Sequence, residues 1–285
     1  MGIKVNNVSY TYQKKASTAT LALNDVSLEI YDNDFVALVG ETGSGKSTLV
    51  QCFNGLIIPD NGEIVVDDFI VSYKNRKSRR LKNLRKRVGL VFQFPEYQLF
   101  EETVEKDVAF GVKNFGLKGE AALEKAHQAL DLVGLDSSYY QRPPFELSGG
   151  EKRKVAIAGV LVIEPDILVF DEPTAGLDPE SSKELMALIT KLHEQGKTII
   201  VVTHDMDLVN TYAKRVLMLD HGKLVFSGTP NALFNHIQNY DRLDVPLLIK
   251  VAKKLKEKGM DLPVEGIHTI DDLLTYIKKW RENHV

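Results

Sequence analysis

The sequence predicts an α/β fold with a mainly parallel sheet, a helical subdomain inserted into it and a helical extension at the C-terminal end. Three observations carry this expectation. Short apolar runs of strand length, among them Phe35–Val39, Ile167–Phe170 and Thr198–Thr203, alternate with segments of helical period, and repeated βα alternation gives a parallel sheet buried on both faces. From about residue 94 to about residue 147 only helical patterns remain. Beyond about residue 235 two amphipathic helical patterns follow with no strand between them. The expected division is a main domain over residues 1–235, carrying the helical subdomain at about 94–147, and an extension over 236–285.

Val5–Tyr12 and Ala22–Ile30 alternate apolar and polar residues and read as strands. Phe35–Val39 is a continuous apolar run that stops at Gly40, and a helical pattern begins near Lys46. Gly62–Asp67 and Val88–Gln93 read as short strands, Thr103–Phe115 and Glu120–Val133 as the helices of the insert. A helix over Ser148–Val162, the strand Ile167–Phe170, a helix over Ser181–Gln195 and the strand Thr198–Thr203 complete the main domain. In the extension, Leu247, Leu248, Val251 and Leu255 fall on one helical face, and Leu273, Leu274, Ile277 and Trp280 on another, with Thr269 and Asp272 as a capping pair.

Composition excludes some classes. Of 285 residues, 36 are Lys or Arg and 39 Asp or Glu, for a net charge of −3, so the chain is no general polyanion binder and no nucleic-acid partner is expected. The one cysteine, Cys52, allows no internal disulfide. No apolar run approaches the ~18–20 residues that span a bilayer, and no signal-peptide core is evident. A role at a membrane would require docking onto something that spans it.

Gly40-Glu41-Thr42-Gly43-Ser44-Gly45-Lys46-Ser47, running on into Thr48, fits G-x-x-x-x-G-K-[ST] between a strand and a helix. Glycines let the backbone wrap an anion with its amide hydrogens, and the helix adds its N-terminal dipole. Lys46 is expected at the β- and γ-phosphates of a nucleotide and Ser47 on Mg²⁺. The chain is thus expected to be a P-loop NTPase binding ATP and Mg²⁺. Downstream, the strand Ile167–Phe170 delivers two carboxylates. Asp171 suits the metal, and Glu172 could polarise an attacking water. Leu147-Ser148-Gly149-Gly150-Glu151 opens a helix with a capping box. Lys152, Arg153 and Lys154 come directly after it, where cations oppose the helix dipole, as if this N-terminus faced an anion.

With these residues the chain resembles the ABC-type ATPases. Leu147–Glu151 is similar to their signature motif, with Glu151 where Gln is usual. The rest of the resemblance lies in order along residues 3–235. Gln93 matches the Q-loop glutamine, which implies contact with the metal and the nucleotide. Ala175-Gly176-Leu177-Asp178 matches the D-loop, which places Asp178 at the nucleotide interface. His204 matches the switch histidine, and Tyr12 the aromatic that stacks on adenine. The resemblance also implies an antiparallel β region at the N-terminus.

Phe92–Val104 and Leu147–Val160 narrow the likeness to the ATPases of energy-coupling-factor importers, also called CbiO-like, and within them to the second of two paralogous ATPase subunits. That resemblance implies an importer of micronutrients, vitamins or transition-metal ions. Its expected partners are a second ATPase subunit, a paralogue forming a heterodimer, and a transmembrane coupling protein held through Phe94–Phe100. A substrate-binding membrane subunit would join indirectly. The expected location is the cytoplasmic face of the cell membrane, peripherally. The C-terminal helices would either help two ATPases pair or pack as a tail on their own domain. The alternative function is the ATPase of another ABC importer class. A small-molecule kinase would not need Leu147–Glu151. An ABC-type ATPase of chromosome or repair machinery would need a long coiled coil between Gln93 and Ser148, for which there is no room.

Overall fold

The computed structural model describes residues 2–14, 18–75, 78–236, 244–263 and 266–284. The N-terminal region is a four-stranded antiparallel sheet. Its strands are β1 (Ile3–Tyr12), β2 (Thr20–Ile30), β4 (Asn61–Val66) and β5 (Phe69–Val71), in the order β2-β1-β4-β5. Beside it stands a six-stranded sheet of β3 (Phe35–Val39), β6 (Val88–Val91), β7 (Ile167–Asp171), β8 (Thr198–Val202), β9 (Arg215–Asp220) and β10 (Lys223–Gly228), ordered β10-β9-β3-β8-β7-β6. The β10–β9 pair is antiparallel, and the other four pairings are parallel.

The continuous apolar runs become legible once both faces of this sheet are seen. Successive side chains of a strand point to opposite faces, and both faces are covered here. Leu168, Phe170, Ile199 and Val201 enter a core shared with the helical insert. Ile167, Val169, Ile200 and Val202, with Val36 and Leu38, enter another core shared with the antiparallel sheet and α1 (Lys46–Phe53). A strand buried on both faces needs no polar alternation, and each Val, Leu, Ile or Phe so buried contributes about 1.5–3 kcal/mol. Cys52 lies fully inside the second core, where burial pushes its thiol up to about 12.

α2 (Ser78–Arg87) leads into β6. The insert consists of α3 (Val104–Lys113) and α4 (Glu120–Leu132), packed on α5 (Gly149–Leu161). α3 and α5 approach closely: a Cβ added to Gly111 would lie 2.8 Å from the Gly159 carbonyl oxygen and from Val162. α6 (Pro179–Glu194), α7 (Met206–Tyr212) and α8 (Pro230–His236) complete the main domain.

The expected boundary at residues 235/236 adjoins 237–243, which lie outside the described residues. In the extension, α9 (Leu247–Glu257) and α10 (Ile270–His284) pack together through Ala252, Leu262, Ile267 and Leu273. Ile249 anchors them on the main domain beside Met206, Val209 and Phe234. Polar contacts with α7 add to this: Asn210 donates to the Ile267 carbonyl at 2.8 Å, and the Leu247 N–H to Asp207 at 2.8 Å. The apolar stripe expected on each helix is split. Leu248 and Leu255 face the small cluster while Leu247 and Val251 are exposed, and Leu273 is buried while Leu274 is exposed. Thr269 and Asp272 bond reciprocally at the start of α10.

Candidate functional site

Parallel strands deliver their C-terminal ends to one edge of a sheet, where ligands collect. Four such ends meet here. β3 runs into Gly40, β6 leads to Gln93, β7 ends at Asp171, and β8 is followed by Thr203 and His204. They frame a cleft of about 440 Å³.

The loop after β3 is held by its glycines. Gly40, Gly43 and Gly45 take φ of 141°, 85° and 103°. A Cβ on Gly40 would lie 2.1 Å from the Leu219 carbonyl, and one on Gly45 2.4 Å from that of Ala22. α1 starts at Lys46 without a side-chain cap, which leaves its first amide hydrogens for an anion. Lys46 is buried, and its ammonium donates to the Gly40 and Glu41 carbonyls at 2.7 and 2.8 Å. Burial pushes it below the usual lysine range, against the pull of Glu172, Asp171 and Glu41. The buried Ser44 hydroxyl oxygen has no hydrogen-bond partner among the described residues.

Asp171 is 7% exposed; burial raises its pKa, while a hydrogen bond from the Ser47 hydroxyl lowers it. Next to it, Glu172 sits at φ 49°, a left-handed conformation that costs a non-glycine residue about 1–2 kcal/mol. Its N–H is fixed on the Val202 carbonyl at 2.9 Å, and its carboxylate meets His204 Nδ1 at 2.8 Å. The turn thus aims a carboxylate and an imidazole into the cleft together. Tyr12 lines the cleft, its hydroxyl 3.2 Å from Thr48 Oγ1 and its ring edge-to-face with Tyr10.

Thus Tyr12, Thr42, Gly43, Gly45, Lys46, Ser47, Thr48, Gln93, Asp171, Glu172 and His204 share one cleft, while Gly40, Glu41 and Ser44 shape its loop. Thr20, Leu21 and Ala22 also line it. Sequence reading did not single them out, although Thr20 pairs with Tyr12 across β1 and β2. Ser148, Gly149, Gly150 and Asp178 lie outside this cleft. Ser148 and Gly150 line a second cavity, of about 490 Å³, between α4, α5 and α6. Asp178 caps α6, accepting from the Glu180 and Ser181 N–H groups at 3.0 Å. The capping box at α5 is complete: the Ser148 N–H donates to Glu151 at 2.7 Å, and Ser148 Oγ accepts from the Glu151 N–H at 3.3 Å. Of the basic run at the start of α5, Arg153 pairs with Glu96 and Lys154 with Glu184, so these two cations are balanced within the chain.

Comparison with known proteins gives this geometry its class. The ABC transporter family model matches residues 23–175. The chain is 50% identical to the energy-coupling factor transporter ATP-binding protein EcfA2 of Streptococcus agalactiae, over 98% of this chain and 99% of the relative. It is 49% identical to that of Streptococcus pneumoniae, over 93% and 96%. Among solved structures it is similar to cbiO1 from Clostridium perfringens, part of the ABC transporter complex cbiONQ, with 36% identity, a TM-score of 0.73 and coverage of 90% and 96%. It is also similar to the ATP-binding cassette MJ0796 in a dimeric post-hydrolysis state bound to ADP and Pi, with 31% identity, a TM-score of 0.71 and coverage of 80% and 98%. The chain belongs to the ABC transporter family and is an ATPase. Within that family it stands with the ATP-binding proteins of energy-coupling factor transporters.

Proposed function

We propose that the chain is the ATP-hydrolysing subunit of an energy-coupling factor importer and works as one half of an ATPase pair. One observation carries the pairing: the residues that suit ATP are divided between a cleft and a separate face of the same chain. The loop at Gly40–Thr48 would cradle the phosphates, with Lys46 at the β- and γ-phosphates and Tyr12 against the adenine. Ser148, Gly149, Gly150 and Asp178 would serve ATP held in the partner's cleft, in a dimer like that of the MJ0796 cassette.

Mg²⁺ fits the donor set. Asp171 and Ser47 are already hydrogen-bonded, Gln93 shares their cleft, and all three offer hard oxygen atoms. Among the described residues no cluster of His, Cys, Asp and Glu could hold a metal alone, so phosphate oxygens and waters would complete the shell. Bound there, Mg²⁺ would neutralise charge on the β- and γ-phosphates. Glu172 would orient the attacking water and take its proton, with His204 holding the Glu172 carboxylate and facing the γ-phosphate. Such a base contributes about 10²–10⁴-fold. Purified in the assembled complex, Glu172→Gln and His204→Ala are expected to bind ATP normally and to lose hydrolysis by a factor of that order. Near-normal turnover would overturn these roles.

Residues 1–235 would form the nucleotide-binding domain, and the extension at 236–285 would help the two ATPases pair through its exposed Leu247, Ile270 and Leu274. The exposed rings of Tyr97 and Phe100 would meet the transmembrane coupling protein, placing the chain peripherally on the cytoplasmic face. Among the described residues no helix is long and apolar enough to cross a membrane. The cargo would be a vitamin or a transition-metal ion, captured by a further membrane subunit. Purification from membranes is expected to bring down a paralogous ATPase and a polytopic protein. A soluble complex without membrane subunits would overturn the reading.

A further inference from the structure

Arg153 lies in α5 and is not part of the cleft, yet its guanidinium meets two other segments at once. Nε and Nη2 form a fork on Glu96, at 3.1 and 2.9 Å. Nη1 donates to the Pro173 carbonyl at 3.1 Å and the Ala175 carbonyl at 2.8 Å. The guanidinium carbon is 5.8 Å from the centre of the Phe94 ring. The Arg153 side chain is 5% exposed and that of Glu96 16%, so the pair is largely desolvated.

Each contact has a fixed place relative to the site. Phe94 and Glu96 come just after Gln93 in the chain. Pro173 and Ala175 come just after Glu172 and lead to Asp178. Arg153 itself is one turn beyond Ser148–Gly150 on the same helix. We propose that Arg153 is the positioning residue that fixes the signature face of the chain to its own nucleotide cleft, so that a shift at Gln93 or Glu172 is passed to Ser148–Gly150. The inference rests on the paired-ATPase reading. Its physical basis is the planar fork of arginine. Two parallel bonds to a carboxylate and two to carbonyls use four of its five N–H groups in one rigid arrangement, which the single ammonium of lysine cannot reproduce.

The test uses the full-length chain in the complex that co-purifies with it. For Arg153→Lys we expect kcat for ATP to fall about tenfold while affinity for a fluorescent ATP analogue changes by less than about twofold, because lysine keeps the charge but not the fork. Glu96→Gln, outside the helix, should give the same split and serves if Arg153→Lys fails to fold. Combined, the two substitutions should lose no more than either alone, because both break one link. Unchanged kcat in both variants, or affinity falling in step with kcat, would overturn the proposal. Failure of the unmodified complex to hydrolyse ATP would instead overturn the paired-ATPase reading.

Discussion

Burial holds the Asp171 carboxyl above the usual carboxylate range, and this shift makes stability depend on pH with a definite sign. Well below the ordinary carboxylate pKa the group is protonated in the folded and unfolded chain alike. As pH rises past that value the unfolded chain ionises first, and the folded state is penalised up to and beyond its own raised pKa. At neutral pH Asp171→Asn is therefore expected to raise the melting temperature of the nucleotide-free chain and to abolish Mg²⁺-dependent ATP binding. A lowered melting temperature would mean that the bond to Ser47 outweighs the burial. The residues of the loop and the acidic pair were legible in the sequence because their spacing is local. Thr20, Leu21 and Ala22 were not, since they reach the cleft only through a β1–β2 register that shifts at three points.

At the scale of elements, the α3–α5 crossing depends on Gly111 having no side chain. Gly111→Ala is expected to cost about 1–3 kcal/mol as an overpacked contact, measured as a lower urea midpoint at unchanged slope. Thr269→Ala should cost about 1 kcal/mol through the lost cap of α10, read in the same way. Both caps at Ser148 and Thr269 could be seen in the sequence, as could strands buried on both faces. By contrast α2 could not, because Leu81 and Leu84 are the only apolar residues among its ten and no apolar period marks it. The extension's stripes misled for a different reason: each helix buries only part of its apolar face against its neighbour and leaves the rest outside.

For the whole molecule, ATP that binds only the folded chain stabilises it by about 2.7 kcal/mol at a hundred times its Kd. Calorimetry should therefore show a melting temperature that climbs with ATP concentration, and Lys46→Ala should flatten that response. The isolated chain should bind ATP yet turn it over slowly, with turnover restored by its companion; full activity of a dilute single chain would contradict the divided site. Cys52, sealed in the core with its thiol pushed up to about 12, has a practical consequence. Maleimide dyes applied to the native protein should leave it untouched. A single cysteine placed at an exposed position outside the proposed pairing surface, such as Leu56, would then carry this chain's sole label, so that its environment could be followed through the ATP cycle without first removing a native thiol from this chain.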